Sequence, residues 1–200
     1  MKLSLQFLQK AIKENNHDVG QIAEKVSSNL VGQIDHLSKI ATDFSQFANL
    51  GSYKPELFNL QVTLREVIQM YELQENLSIR WHSLSQPLNI FADKTQVNRL
   101  ITNLLQNASE AADKNEIVQI VIGERLVPGS VVMSFADNGN GIPEAVKNNI
   151  FMPNFTTKSS GTGLGLSICK AIVENAGGAI WFETQTGEGT TFYVRLPLAK

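Results

Sequence analysis

The sequence predicts an α+β protein in which a two-layer α/β sandwich follows an antiparallel helical hairpin. Residues 1–52 contain no proline and carry apolar residues at steps of three and four. From residue 53 onward, strand-like and helix-like segments intermix without the strict alternation of a doubly wound fold. We therefore predict two domains, the hairpin over residues 1–52 and the sandwich over residues 53–200.

Composition excludes several classes of protein. A hydrophobic fraction of 42% in 200 residues is enough for a core, and a net charge of -2 gives no electrostatic reason to expect nucleic acid or an anionic membrane as partner. The single cysteine, Cys169, cannot form an internal disulfide, which favours a cytoplasmic location. No apolar run approaches the roughly 18 residues of a spanning helix. We expect any inner-membrane anchor to lie in parent-protein segments that are not present here.

Two helices are predicted in the first domain. A short apolar stripe precedes a break at residues 14–18, and a longer stripe begins at Val19 and reaches Ala48. Asp18 is the predicted N-cap and Gly51 the stop of the second helix. A helix of this length, about 50 Å, needs a partner. We predict that the hairpin forms a homodimer as a four-helix bundle, the alternative being a hairpin packed on its own globular domain.

The second domain is predicted to contain three helices and six strands. The helices span residues 63–71, 93–112 and 163–175, and the strands span 77–82, 88–92, 117–126, 131–135, 179–184 and 190–196. Thr63 with Glu66 forms a predicted capping box, and Asp93 is predicted to cap the second of these helices with Gln96 at its third position.

Three alternate glycines, Gly161, Gly163 and Gly165, open the last predicted helix. Backbone that accepts positive φ lets successive N–H groups converge on an anion, and the helix N-terminus adds a favourable dipole. The loop lacks the lysine of a Walker motif. We interpret it as a phosphate cradle, the alternative being a mobile glycine-rich loop.

A carboxylate stands at the end of the apolar strand VVMSFA. Asp137 is followed by Gly139 and Gly141, so the chain turns sharply there. Alone, Asp137 would be a turn former. Together with a phosphate loop it becomes a candidate acceptor for the exocyclic amino group of adenine, which favours ATP.

Two amides share one face of the helix 93–112. Asn103 and Asn107 are spaced i and i+4, and asparagine is a mediocre helix former. Two solvated amides are the alternative interpretation. An amide oxygen is also a suitable ligand for Mg²⁺, which arrives with phosphate attached.

Five segments in order resemble the motifs of the GHKL ATP-binding superfamily, and specifically the catalytic domain of bacterial sensor histidine kinases, a sandwich of the Bergerat type. They are NLLQNA, DNGNGIP, FMPNFTTK, GTGLGL and GEGTTF, which lie between residues 93 and 192. The hairpin agrees with this resemblance, because a dimerising hairpin precedes the ATP domain in that family.

The resemblance implies a role for each matching residue. Asp137 would bind the adenine amino group, Asn107 would coordinate Mg²⁺, and Asn103 and Lys158 would complete the catalytic set. Residues 143–162 would form an ATP lid, in which Phe151 and Phe155 are apolar latches or, alternatively, core residues. The remaining implied nucleotide contacts are Gly139, Gly141, Ile142, Thr157, Gly161, Thr162, Gly163, Leu164, Gly165, Leu166 and Thr190.

Position 103 separates the mechanisms of the superfamily. ATP-hydrolysing members place Glu there to activate water, whereas this chain has Asn103, which cannot accept a proton at neutral pH. The resemblance therefore implies transfer of the γ-phosphoryl group to a histidine and then to an aspartate of a response-regulator receiver domain. The alternatives are a GHKL-type ATPase and a nucleotide-binding dimerisation scaffold without catalysis. Glu110 stands where many sensor kinases have Lys or Arg, as in the nitrogen-regulatory branch, where Lys158 would supply the positive charge.

The phosphoacceptor is not evident among the histidines. His17, His36 and His82 all lack the His-Glu-x-x-Asn-Pro-Leu type of motif that carries the acceptor in the family. We hypothesise that the acceptor lies upstream in the parent protein, and that this chain alone cannot autophosphorylate.

Overall fold

The computed structural model describes residues 2–14, 18–48, 53–72, 74, 76–111, 117–158 and 161–199. The helices are α1 (Lys2–Lys13), α2 (Val19–Ala48), α3 (Leu60–Tyr71), α4 (Lys94–Ser109) and α5 (Gly165–Asn175), with a 3-10 helix over Glu144–Asn149. The strands are β1 (Glu56–Asn59), β2 (Leu77–His82), β3 (Asn89–Ala92), β4 (Val118–Val127), β5 (Ser130–Asp137), β6 (Ala179–Gln185) and β7 (Gly189–Pro197).

The helical pair α1 and α2 begins the chain. The two helices contact each other, and Ala11 of α1 and Val26 of α2 are buried. The helix α2 begins directly after Asp18, whose carbonyl accepts the Ile22 N–H at 3.0 Å. The predicted stop at Gly51 and the histidine at position 17 lie outside the described residues. None of the helices in the described part of the chain is long and apolar enough to cross a membrane.

A five-stranded sheet forms one layer of the sandwich. Its strand order is β2-β4-β5-β7-β6, with β2 and β4 parallel and all other neighbours antiparallel, and β1 pairs with β3 in a separate small sheet. Along β4, Ile120 and Ile122 are buried, whereas Gln119 and Val121 are exposed. This alternation is expected for a sheet that has helices on one face and solvent on the other.

The helices α3, α4 and α5 form the second layer. Leu100 and Leu104 of α4, Ile168 of α5 and Phe135 of β5 are fully buried in one apolar cluster between the layers. The predicted α+β two-layer class is thereby confirmed. The N-terminal start of α4 was also predicted correctly, since the Asp93 Oδ1 accepts the Gln96 N–H at 3.0 Å.

The start of α3 was predicted three residues too late. The Asn59 Oδ1 accepts the N–H groups of Gln61 at 2.9 Å and Val62 at 3.2 Å, so Asn59 is the N-cap. Thr63 lies inside the helix and is buried. The capping-box prediction at Thr63 and Glu66 is wrong because Asn59 satisfies the first N–H groups earlier in the chain.

Candidate functional site

A cavity of about 400 Å³ lies between α4, the end of β5, residues 140–158 and 161–163 and the start of α5. This volume is within the range of small-molecule sites. One face of α4 supplies a row of polar side chains at helical spacing, namely Asn103, Gln106, Asn107 and Glu110. The cavity wall thus combines parts that are far apart in the sequence.

The two asparagines of α4 differ in their partners. The Asn103 Nδ2 donates to the Gly165 carbonyl at 3.5 Å, which links α4 to the start of α5. The Asn107 Nδ2 is buried and has no hydrogen-bond partner among the residues that the structure describes. Buried polar atoms are nearly always paired. The unpaired amide in the cavity wall is therefore available to a ligand.

Asp137 is held by the backbone on both sides of its strand end. Its Oδ1 accepts the Gly139 N–H at 2.9 Å and the Thr190 N–H at 3.2 Å, and Thr190 is the register partner of Asp137 in β7. Within the described part of the chain, Oδ2 has no partner. Burial raises the pKa of this carboxyl, and the two N–H donors and the nearby Lys158 charge partly oppose that rise. The free oxygen is suited to accept a hydrogen bond from a ligand.

The turn after Asp137 is fixed by hydrogen bonds to three other segments. Asn138 accepts the Gln119 N–H at 2.7 Å, and the Asn140 N–H donates to the Ala111 carbonyl at 2.9 Å. The Ile142 N–H donates to the Thr184 Oγ1 at 2.9 Å. These contacts hold the cavity wall in one position next to the carboxylate.

The cavity also has an apolar lining. Ile142, Val146 and Ile150 line the cavity at a spacing of four residues, with Phe155 and Phe192 beside them. Such a surface suits a planar heterocycle, because flat apolar faces pack well against branched and aromatic side chains.

The glycine loop completes the cavity at the start of α5. Gly163 has a φ of 69°, and a Cβ at this position would collide with the backbone of Asn154 and Phe155. Leu164 is the N-cap residue and provides no side-chain acceptor for the first N–H groups of α5. Unsatisfied N–H groups at a helix N-terminus favour a bound anion.

A lysine and a glutamate meet across the cavity wall. The Lys158 Nζ lies 2.7 Å from the Glu110 Oε2, and both side chains remain about one-third exposed. Glu110 is the C-cap residue of α4, and Lys158 belongs to the segment that precedes the glycine loop.

Most of the predicted site residues line this one cavity, and three do not. Gly139 lies against Ala111, and Phe151 makes edge contacts with Phe182 and Phe192 at ring-centroid distances of 6.0 and 6.5 Å. Leu164 is buried in the apolar cluster. The site residues in the wall are Asn103, Asn107, Asp137, Gly141, Ile142, Phe155, Thr157, Lys158, Gly161, Thr162, Gly163, Gly165, Leu166 and Thr190.

Several residues of the wall were not named individually from the sequence, and four of them lie within the predicted lid over residues 143–162. They are Gln106, Glu110, Ala111, Asn140 and Phe192, with Pro143, Val146, Ile150 and Thr156 in the lid. For Val146 and Ile150 a signal existed, because they continue a four-residue spacing from Ile142. Gln106 is likewise about one turn from Asn103 and directly precedes Asn107. No local signal predicts Ala111, which lines the cavity and also contacts the turn after Asp137.

The sandwich and its cavity define a nucleotide-binding domain, and comparisons with known proteins agree. The family model described as histidine kinase-, DNA gyrase B-, and HSP90-like ATPase matches residues 92–200. The adaptive-response sensory kinase SasA of a strain of Prochlorococcus marinus is 31% identical over 183 residues, which are 88% of this chain and 48% of that protein.

Two solved structures of histidine kinase ThkA are also similar. Its nucleotide-free catalytic domain is 36% identical with a TM-score of 0.65, covering 72% of this chain and 96% of that one. ThkA in complex with the response regulator protein TrrA is 27% identical with a TM-score of 0.71, covering 98% of this chain and 57% of that one.

The chain belongs to the GHKL family of histidine kinase-, DNA gyrase B- and HSP90-like ATPases. Within that family, it contains the catalytic domain of the sensor histidine kinases. The family's domain binds ATP, which assigns the nucleotide. The chain spans less than half of the length of the curated relative SasA.

Proposed function

We propose that this chain is the ATP-binding core of a two-component sensor kinase, which transfers the γ-phosphoryl group of ATP to a histidine. The observation that carries the proposal is the amide of Asn103, in the cavity wall one turn before Asn107. An amide cannot take a proton from water at neutral pH. Glu110, the C-cap residue of α4, lies about 10 Å along the helix axis from position 103, and the Asp137 Oδ1 is held by two backbone N–H groups.

The nucleotide would lie with adenine against Asp137 and the apolar lining. The free Oδ2 of Asp137 would accept a hydrogen bond from the adenine amino group, which guanine does not offer at that position. The phosphates would reach the N–H groups at the start of α5, with Thr162 and Lys158 nearby. A base site and a phosphate site in one cavity support ATP as the ligand.

The wall also fits a magnesium ion on the phosphates. The side-chain amide of Asn107 offers an oxygen of the hard type that Mg²⁺ prefers, and its buried nitrogen, which has no protein partner within the described residues, could donate to a phosphate oxygen. When bound, Mg²⁺ would neutralise charge on the phosphate oxygens. The role of the chain is to hold the phosphates in line with the acceptor, with Asn103 fixing α4 to Gly165 and Lys158 adding positive charge.

The pair α1 and α2 is proposed to be a dimerisation domain over residues 1–52, followed by the ATP-binding domain over residues 53–200. The supporting observation is a row of apolar side chains on α2 that are exposed in the single chain, namely Ile34, Leu37 and Phe44 on one face, with Val31 and Ile40 at its two edges. A continuous exposed apolar row of this kind indicates a protein interface.

A response-regulator receiver domain is the proposed downstream partner. The support is the likeness over 98% of this chain to ThkA, which was solved together with its response regulator TrrA. We also propose a cytoplasmic location, since ATP is the substrate and the buried Cys169 is a free thiol.

The proposal is tested by supplying the acceptor. The chain is incubated with γ-labelled ATP and Mg²⁺, with and without a histidine-bearing dimerisation hairpin from a related sensor kinase. We expect acid-labile, base-stable label on the added hairpin and little free phosphate in its absence. Steady phosphate release without the hairpin would instead identify an ATPase. Nucleotide binding with neither reaction would identify a scaffold without catalysis.

A further inference from the structure

We propose that Glu110 competes with the phosphates of the nucleotide for Lys158, so that the ion pair between them acts as a latch on the nucleotide-free cavity. This inference rests on the proposed function, because it concerns the same cavity. It adds Glu110 as a positioning residue that sets how strongly the chain holds a polyphosphate.

The two residues are held so that they meet at the cavity. Glu110 ends α4 one turn after Asn107, and the Gln106 Nε2 donates to its Oε1. Gln106 is in turn fixed by the Tyr71 hydroxyl, which donates to the Gln106 Oε1 at 3.2 Å. Hydrogen bonds from α3 and α4 therefore hold the carboxylate, while Lys158 reaches it from the segment before the glycine loop.

Electrostatics favours this pair while the cavity holds no anion. The C-terminal end of α4 carries a partial negative charge that adds to the carboxylate, so both attract the Lys158 ammonium. A triphosphate brings several negative charges to the same wall. It is repelled by Glu110, and it attracts Lys158, whose three donors can turn toward phosphate oxygens.

The exchange has a measurable consequence for affinity. When a phosphate binds Lys158, the ion pair between Lys158 and Glu110 is lost. The free energy of ATP binding is therefore less favourable by the free energy of that ion pair. An ion pair with side chains about one-third exposed is worth a few tenths to about 1 kcal/mol, which corresponds to a factor of about two to five in affinity.

The test compares ATP with adenosine, which has no phosphates, by calorimetric titration at low ionic strength. We expect Glu110→Gln to raise the affinity for ATP about two- to fivefold and to leave the affinity for adenosine unchanged. In a Lys158→Met background, which keeps the apolar stem, the same substitution should give a smaller gain, because it then relieves only the repulsion between Glu110 and the phosphates. The matched control is Glu174→Gln, which removes an equal charge from an exposed pair with Lys170 on α5.

Each outcome separates the latch from the proposed function. The latch is wrong, and the proposed function stands, if the parent chain binds ATP and Glu110→Gln does not raise the affinity for ATP. The same conclusion follows if Glu110→Gln raises the affinity for adenosine by the same factor. An equal gain in the Lys158→Met background would also overturn the latch, since Glu110 would then only repel phosphate. If no variant binds ATP, both proposals fail.

Discussion

Asp137 and Thr190 face each other across the central pair of strands β5 and β7, and the Thr190 N–H donates to the Asp137 Oδ1 at 3.2 Å. With the Gly139 N–H at 2.9 Å, this contact commits one carboxylate oxygen to the backbone. The orientation of the other oxygen is therefore set by one contact from the sheet and one from the turn that follows β5. A carboxylate positioned in this way loses little rotamer freedom when a ligand binds to it.

Replacing Asp137 with Asn should weaken ATP binding by about tenfold to a hundredfold, the equivalent of roughly 1.5–3 kcal/mol for a hydrogen bond to a charged group. The amide oxygen of the variant can still accept the two backbone N–H groups. The amide NH₂ then points at the adenine amino group, and because both groups are donors no hydrogen bond forms between them. Titration calorimetry measures the loss. The unfolding free energy at pH 7 should not fall, because burial disfavours the charge that the substitution removes. Unchanged ATP affinity would show that the base lies elsewhere.

Binding of adenosine should weaken on acidification because Asp137 must be ionised to accept the hydrogen bond. An ordinary aspartate has a pKa of about 3.9. Burial raises the pKa of Asp137, so this carboxyl becomes protonated at a higher pH than an ordinary aspartate does. Adenosine is the probe because it has no phosphate that titrates. Affinity should be constant near neutral pH and decline as the pH falls through the raised pKa. The Asp137→Asn variant should lack this decline, and an equal decline in both proteins would assign the titration to another group.

Local signals predicted much of this fold, and the error at α3 lies in the choice between two local capping signals. The start of α4 follows from Asp93 and Gln96 three residues apart. The start of α3 was misplaced because Asn59 is an equally good cap just upstream of the predicted one.

The contiguous motifs of the site could be predicted from the sequence, but the contacts between residues that are distant in the sequence could not. The turn at Asp137 and the glycines before α5 are contiguous in sequence, so their chemistry can be recognised there. The pair of Glu110 and Lys158 joins residues 48 positions apart, and the sequence alone gives no reason for their contact. Phe151 shows the same limit, because an aromatic residue in a polar segment can face either a ligand or the core, and here it contacts Phe182.

Gly163→Ala should destabilise the domain by about 1–3 kcal/mol and weaken ATP binding. Its φ of 69° costs about 1–2 kcal/mol for a residue with a side chain, and the added Cβ meets the backbone of Asn154 and Phe155. Gly165→Ala is the stability control, because its Cβ would meet open space at the start of α5. That variant should be as stable as the parent or more stable by up to about 1 kcal/mol. Thermal unfolding of the two variants compares them, and equal stability would contradict the assigned backbone strain.

Ile34→Lys should convert a dimer of this chain into a monomer. Ile34 is 54% exposed in the single chain and lies in the middle of the apolar row on α2, so a dimer interface there would bury it. Placing a lysine in such an interface costs several kcal/mol, since its charge would lose water without gaining a partner. Size-exclusion chromatography with light scattering, repeated over a range of concentrations, measures the mass of each variant. Ser28→Lys introduces the same side chain at an exposed position away from the row and should remain dimeric. A parent chain that is monomeric at every concentration, or an Ile34→Lys variant that stays dimeric, would show that α2 is not the dimer interface.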